Sequence, residues 1–266
     1  MSKRQSNVFS EERRQEISRL VKTEGKVTVH ELCQHFSVSL ATIRADLTEL
    51  ENLGLLKRTH GGAISVHSAG YELTSREKVT RNSAAKAAIA QAAVKFIHPG
   101  DAIAIDTGTT GFELAKLVGH IENLTVVTND IAIALYLEQN TDVSVLLLGG
   151  MIRKNFHCTS GEFVTDLLDR IHINTLFLAT NGINLSRGLS TPNVEMSRVK
   201  KKLIEVSERV ILIADKDKFE NDSFAYFSSI DKMDIIISDA ELSGELLESL
   251  AADAIEYVHV SVPGGG

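Results

Sequence analysis

The sequence contains no apolar run of the roughly 18 residues that a membrane-spanning helix needs. Its opening stretch, MSKRQSNVFSEERR, lacks the apolar core of a secretory signal. Cysteine is scarce: Cys33 and Cys158 lie far apart and form no paired motif, which suits a reducing compartment. These absences predict a cytoplasmic chain with no membrane association. His157 and Cys158 adjoin, yet a ligand set with metal spacing is missing, so neither a metal nor a cofactor is expected. What is there is a soluble globular composition, 43% hydrophobic over 266 residues with a mean hydropathy of +0.01. That length holds one large domain or two ordinary ones.

The formal net charge of −7 is unevenly spread. Residues 1–68 carry ten Lys/Arg against eight Asp/Glu, and the rest carries 18 against 27. Only the first part is compatible with a polyanionic partner. Within it, Ser10 is placed to cap a helix through EERRQEISRLVKTEG, with Ile17, Leu20 and Val21 as its apolar stripe and Gly25 as its stop. KVTV is short and β-branched, and HELCQHF fits a second helix. After the turn and cap of Ser37 to Ser39, LATIRADLTELENLG gives a third, with Ile43, Leu47, Leu50 and Leu53 at three- and four-residue steps. This is a helix-turn-helix, and LLKRTHGGAISV around Gly61 and Gly62 reads as a β-hairpin wing.

If the stripe of the third helix packs inward, its open face begins with Ser39, Ala41, Thr42, Arg44 and Ala45. The start of a recognition helix is the part that reaches base edges in the major groove. Arg44 can fork onto guanine, and Thr42 suits a phosphate or a thymine methyl. Lys57, Arg58 and His60 on the wing face phosphate or the minor groove. The competing reading is a small helical domain with a solvated arginine.

The stretch VTVHELCQHFSVSLATIRADLTELENLGLLKRTHGGA resembles the N-terminal winged helix of the DeoR family of bacterial sugar-operon regulators. That family has TIRRDL where this chain has TIRADL, so Ala45 departs from the usual second Arg. Regulators of the galactitol type are similar in having ATIRADL.

Residues 69–83 are polar and read as an irregular linker with a hinge, dividing a DNA-binding domain (1–68) from a larger domain (84–266). In the larger part, helix-like stretches (83–97, 111–118, 131–138, 162–170, 194–207, 243–250) alternate with strand-like ones (102–106, 125–128, 143–148, 175–179, 210–214, 235–238, 255–260). Alternation predicts an α/β unit with a mostly parallel sheet covered on both faces. Ligands of such sheets bind beyond the carboxyl ends of the strands. Those ends read DTGTT, TND, GG, ATNGIN and ADKDKF, and all should meet on one edge.

In DTGTT, Gly108 permits close backbone approach while Thr109 and Thr110 add hydroxyl donors. Thr128 and Asn129 can orient sugar hydroxyls. Gly150, Asn181 and Gly182 lie at other strand ends, and Lys216 and Lys218 supply cations. Each residue also has a plain structural role open to it, as a cap, a turn or a solvated charge.

This region is similar to the DeoR-type sensor domain, which implies a fold like that of ribose-5-phosphate isomerases. The resemblance implies that Asp106, Gly108, Thr109, Thr110 and Thr128 hold a phosphate and sugar. It places Glu195 and Lys218 where those isomerases have a catalytic Glu and an active-site Lys. Asn181 and Asn184 stand where acids are usual, and an amide has no usable acid–base pKa. No catalytic residue is therefore expected. The expected protein is a repressor of a sugar or sugar-alcohol operon, released from operator double-stranded DNA by a phosphorylated sugar or polyol, and a homo-oligomer. The rival is a sugar-phosphate isomerase with an accessory DNA-binding domain.

Overall fold

The structure, a computed structural model, describes residues 2–65 and 72–262. The chain divides into two compact units, Met1–Glu72 and Leu73–Gly266.

The first unit is built from α1 (Ser2–Glu24), β1 (Lys26–Thr28), α2 (Val29–Phe36), α3 (Leu40–Asn52), β2 (Lys57–Thr59) and β3 (Gly62–Ile64). Ser10 lies inside α1, so it is not the cap expected of it. Thr28 starts α2 instead, through a capping box with Glu31. Ser39 caps α3 by accepting from the Thr42 N–H. The hairpin β2–β3 is the wing, and β1 joins it as a third antiparallel strand on β3. Ile17, Val21, Leu32, Ile43, Leu47, Leu50 and Leu56 form one core, each side chain contributing about 1.5–3 kcal/mol by its burial.

Sequence periodicity gave no hint of one polar contact in that core. Asp46 points inward from α3 and is only 6% exposed. Arg13 of α1 grips it with both ends of its guanidinium, Nε to Oδ2 at 2.5 Å and Nη2 to Oδ1 at 3.2 Å. This two-pronged pair fixes how α1 lies on α3.

The second unit opens with α4 (Ser75–Val79) and α5 (Ser83–Ala93). Helix α4 occupies part of the stretch read as irregular linker. A capping box of Thr74 and Glu77 explains it, and residues 69–71 of that stretch lie outside the described residues. Then follow β4 (Ala102–Ile105), α6 (Thr109–Ala115), β5 (Thr125–Thr128), α7 (Ile131–Asn140) and β6 (Ser144–Leu147). A hairpin, β7 (Met151–Arg153) and β8 (Cys158–Ser160), precedes α8 (Glu162–Leu168). After β9 (Ile173–Leu178) come β10 (Gly182–Asn184), β11 (Gly188–Thr191), α9 (Val194–Glu205), β12 (Ser207–Ile213) and β13 (Ala225–Ser228). The last elements are β14 (Ile235–Ser238), α10 (Gly244–Ala252) and β15 (Glu256–His259).

Seven strands form one parallel sheet in the order β15-β14-β12-β9-β4-β5-β6. Side chains alternate between its faces. Ile103, Ile105, Phe177 and Ile211 meet α5, α6 and α7 on one side, while Ala104, Leu176, Leu178 and Leu212 meet α8, α9 and α10 on the other. The small antiparallel sheet β10-β11-β13 and the β7–β8 hairpin were not anticipated, because strands of three or four residues leave no readable alternation.

Candidate functional site

Two surfaces carry the residues singled out above, one on each unit. On the first, Ile43, Asp46, Leu47 and Leu50 of α3 are buried, and this turns Ala41, Arg44 and Ala45 outward. Ser39, Arg58 and His60 are also exposed, while Thr42 and Lys57 are half-buried. The Ser39 and Thr42 hydroxyls bond each other at 2.9 Å. Thr48, one turn beyond Arg44, links the helix to the wing. Its hydroxyl donates to the Arg44 carbonyl (2.8 Å) and accepts from Arg58 Nη1 (2.5 Å). The Arg58 N–H donates to Glu51 at 2.9 Å. Arg44, Thr48 and Arg58 thus share one outward face. Thr48 was missed because a lone Thr at a half-exposed helix position carries no sequence signal of its own.

On the second unit, the parallel strand ends do gather on one edge. The chain runs from β4 to β5 and β6 on one side, and from β9 to β12, β14 and β15 on the other. The crevice between β4 and β9 is therefore the topological switch point, where open α/β sheets take their ligands.

Its floor is polar and closed. Asp106, 1% exposed, accepts from the Thr107 N–H (2.8 Å) and the Ala179 N–H (3.1 Å). It also pairs with the ammonium of Lys200, itself 3% exposed on α9. Lys200 donates a second bond to the Ala179 carbonyl (2.9 Å). Asp106 was expected to hold a ligand. Its carboxylate is instead committed to protein groups and shapes the floor.

Asp130 ties the next loop to this one. One of its oxygens caps α7, accepting from Ala132 and Ile133. The other accepts from Thr107 Oγ1 (2.8 Å) and the Gly108 N–H (3.3 Å). Burial pushes its carboxyl above the usual range, and these hydrogen bonds oppose the shift. Gly108 has φ +147°, which an L side chain rarely adopts, so glycine is required there. Helix α6 begins at Thr109, two residues earlier than expected, and its first intrahelical bond is Phe112 N–H to Gly108 C=O (2.9 Å).

Several other expected contacts are also part of the wall. Thr128 is 2% exposed; its hydroxyl donates to the Ile105 carbonyl and accepts from the Asp130 N–H. Asn129 is 1% exposed, donates to the Thr159 carbonyl and keeps its Oδ1 without a partner among the described residues. Thr110 is 7% exposed. Gly182 lies in β10, where an added Cβ would stand 2.3 Å from the Asn221 carbonyl oxygen; it is glycine for packing.

The open residues are fewer. Gly150 and Lys216 are exposed, and Gly108, Thr109, Asn181, Glu195 and Lys218 are half-buried. Asn181 Oδ1 accepts from the Thr191 hydroxyl (3.0 Å), and Glu195 pairs with Arg198 at 3.3 Å. Cys158 is buried near Thr107 and Arg153, and burial pushes its thiol up, away from reactivity. Among the described residues no group of His, Cys, Asp and Glu is arranged to hold a metal. No helix among them is long and apolar enough to cross a membrane.

A winged helix with an outward recognition helix, on a chain whose second unit closes a parallel-sheet switch point, defines a two-part DNA-binding transcription regulator. The chain belongs to the DeoR family: the DeoR-like helix-turn-helix domain matches residues 13–69, and the DeoR C terminal sensor domain matches residues 81–240. It is 35% identical to the HTH-type transcriptional regulator GlpR of Haloferax volcanii, over 93% of this chain and 96% of that one. It is 34% identical to the putative aga operon transcriptional repressor of Escherichia coli O157:H7, over 94% and 93%. Among solved structures, ribose 5 phosphate isomerase A from Neisseria gonorrhoeae aligns over 54% of this chain and 56% of its own, at 17% identity and a TM-score of 0.40. The sequence relatives are regulators, so the chain is a regulator and not an enzyme, and the isomerase rival is not favoured.

Lys200 was missed, although it interrupts the apolar stripe Met196, Val199, Leu203 of α9. Lys200→Met is expected to destabilise the sensor unit by about 3–5 kcal/mol, because it strands a buried carboxylate. Pairing it with Asp106→Leu should recover much of the loss. Urea unfolding of the four proteins of this cycle tests it; additive losses would show the pair to be uncoupled.

Proposed function

We propose that this chain represses a sugar or sugar-alcohol operon and releases its operator when a phosphorylated sugar or polyol binds at the switch-point edge. The carrying observation is a concentration of positive charge. Lys78, Arg81 and Lys218 lie around the buried ammonium of Lys86, and Asp215 offsets them only in part, as does Asp217, which Arg81 reaches at 3.9 Å. These groups belong to the segments before α5 and after β12, and Lys218 follows a strand that ends on that edge. Such a cluster favours a dianion. In this reading Gly108, Thr109, Asn181 and Lys218 meet the ligand, with Gly150, Glu195 and Lys216 at its margin. The buried set of Asp106, Thr110, Thr128, Asn129 and Gly182 holds the wall.

Residues 1–68 read DNA, with Arg44 on a base edge, Ser39, Ala41, Thr42 and Ala45 lining the groove, and Lys57, Arg58 and His60 near phosphates. Residues 84–266 hold the effector, and 69–83 connect the two. The protein acts in the cytoplasm as a homo-oligomer, since one winged helix spans too few bases for a unique operator. The name of the aga operon relative supports the repressor sense.

A thermal-shift screen of phosphorylated sugars and polyols tests the effector class. A true effector at about 100 times its Kd should add about 2.7 kcal/mol, and a screen with no stabilising phosphate ester would refute the reading. Arg44→Ala should weaken operator binding by about 1–3 kcal/mol and relax base choice at one position. Unchanged preference between operator and random duplex would remove Arg44 from base readout. Lys218→Gln should bind operator like the parent yet need at least about tenfold more effector for release, a loss of about 1.4 kcal/mol. Release at the parent's effector concentration would place the anion elsewhere.

A further inference from the structure

Lys86 belongs neither to the operator-binding face nor to the wall of the effector crevice. It is 4% exposed near the start of α5, and its Nζ donates to the carbonyls of Lys78 and Arg81. These two carbonyls close the end of α4, the first helix of the second unit after Glu72. Five residues do not hold a helix by themselves, and α4 is held by tethers. Its Ser75 N–H donates to the Asn155 carbonyl at 3.1 Å, and the Lys78 ammonium lies 6.0 Å from the Phe156 ring centre. Behind it, Asn82 takes a left-handed conformation (φ +51°). From there its amide donates to Asp215 Oδ1 (3.0 Å) and Asp217 Oδ2 (2.8 Å). Arg81 reaches Asp217 at 3.9 Å.

Besides Lys86 of α5, two elements near the strand ends receive these tethers. One is the β7–β8 turn, whose strand β8 bridges to Asp130 beside the Gly108 loop. The other is the 3-10 turn Lys216–Lys218, which follows β12. Both are anchored at the proposed effector edge.

We propose that α4 is a strap whose clamping is coupled to anion occupancy of that edge, with Lys86 as the coupling group. This inference rests on the effector reading above. The charges facing Lys86 are Lys78 and Arg81 from the strap and its following turn, and Asp215 and Lys218 from the 215–218 segment; Asp217 is engaged with Asn82 and Arg81. Burial first, and then Lys218, Lys78 and Arg81, push the Lys86 ammonium down to about 8, against the pull of Asp215. A dianion held by Lys218 and Lys78 cancels their repulsion. Lys86 then takes up a proton and holds the two strap carbonyls as a charged donor, a stronger bond than a neutral amine makes. Anion occupancy is thereby written into the order of the segment that follows the DNA-binding unit.

The test uses the full-length protein and sulfate, a dianion that does not titrate near neutrality. Calorimetry at pH 8 in two buffers of different ionisation enthalpy should show uptake approaching about half a proton per sulfate bound, since Lys86 is then about half protonated before binding. Amide exchange of residues 75–81 should slow about tenfold or more with sulfate. Lys86→Met should still bind sulfate but lose both the uptake and the slowing at 75–81. If Lys86→Met does not fold, the two wild-type measurements decide. Sulfate that protects 107–111 and 216–218 without proton uptake, and without slowing 75–81, would overturn the strap and leave the effector reading standing. Protection at neither 107–111 nor 216–218 would overturn both.

Discussion

The sensor unit depends on one buried ion pair, Asp106 with Lys200. A parallel sheet that changes direction leaves its two halves joined along a single strand pair, here β4 and β9. Beyond their last ladder bonds nothing in the backbone pattern holds the two ends together. Asp106 supplies the link by accepting from the Ala179 N–H, and Lys200 supplies a second through the Ala179 carbonyl. Desolvating both charges is costly, and an apolar pair of the same volume often serves stability as well. The pair instead fixes the spacing and direction of the loops leaving β4 and β9. A crevice with a charged but fully bonded floor stays polar without collapsing onto its own groups.

The same logic separates sensing from chemistry. Asp106 and Asp130, the carboxylates of the β4 and β5 loops, spend their oxygens on backbone N–H groups, Thr107 and Lys200. An acid–base catalyst needs a carboxyl free to meet a substrate proton. Asn181, where an acid would serve such chemistry, is an amide bonded to Thr191. Glu195 keeps a carboxylate, but it pairs with Arg198 at the start of α9. These carboxylates and this amide are therefore structural in the arrangement seen, in keeping with the regulators the chain resembles.

Periodicity made most of the frame legible. Stripes such as Ile43, Leu47 and Leu50, and apolar runs such as Ile235 to Ile237, signal a buried helix face and a doubly covered strand without reference to distant residues. Strand ends rich in Gly, Thr, Asn and Asp marked the edge. What stayed hidden was partnership. Asp46, Lys86 and Lys200 each sit on the buried face of their helix. A charge on an apolar stripe implies a partner, but nothing local names it: Arg13 is 33 residues from Asp46, and Asp106 is 94 from Lys200. The same gap hid the protein partners of Asp106 and Thr128, which were expected to meet a ligand. Their side-chain types suit a sugar, and only the fold shows those hydrogen bonds already spent. Short elements failed differently, since α4 has five residues and β10 three, too few for a period.

Switching sets a last constraint on where binding energy must appear. Moving a two-state regulator from 1:99 to 99:1 requires a ligand to prefer one state by about 5.5 kcal/mol. A hydrogen bond to a charged group contributes about 1.5–3 kcal/mol. About two to four such bonds made in only one state therefore suffice, and any bond made equally in both contributes nothing to the switch. The floor groups Asp106, Lys200 and Asp130 already have their oxygens and ammonium bonded to protein, so they have little left to give a ligand. The difference must come from groups at the margin whose surroundings change. In the proposed strap the cations around Lys86 fit that requirement, because a bound anion would reduce their mutual repulsion beyond what Asp215 already offsets.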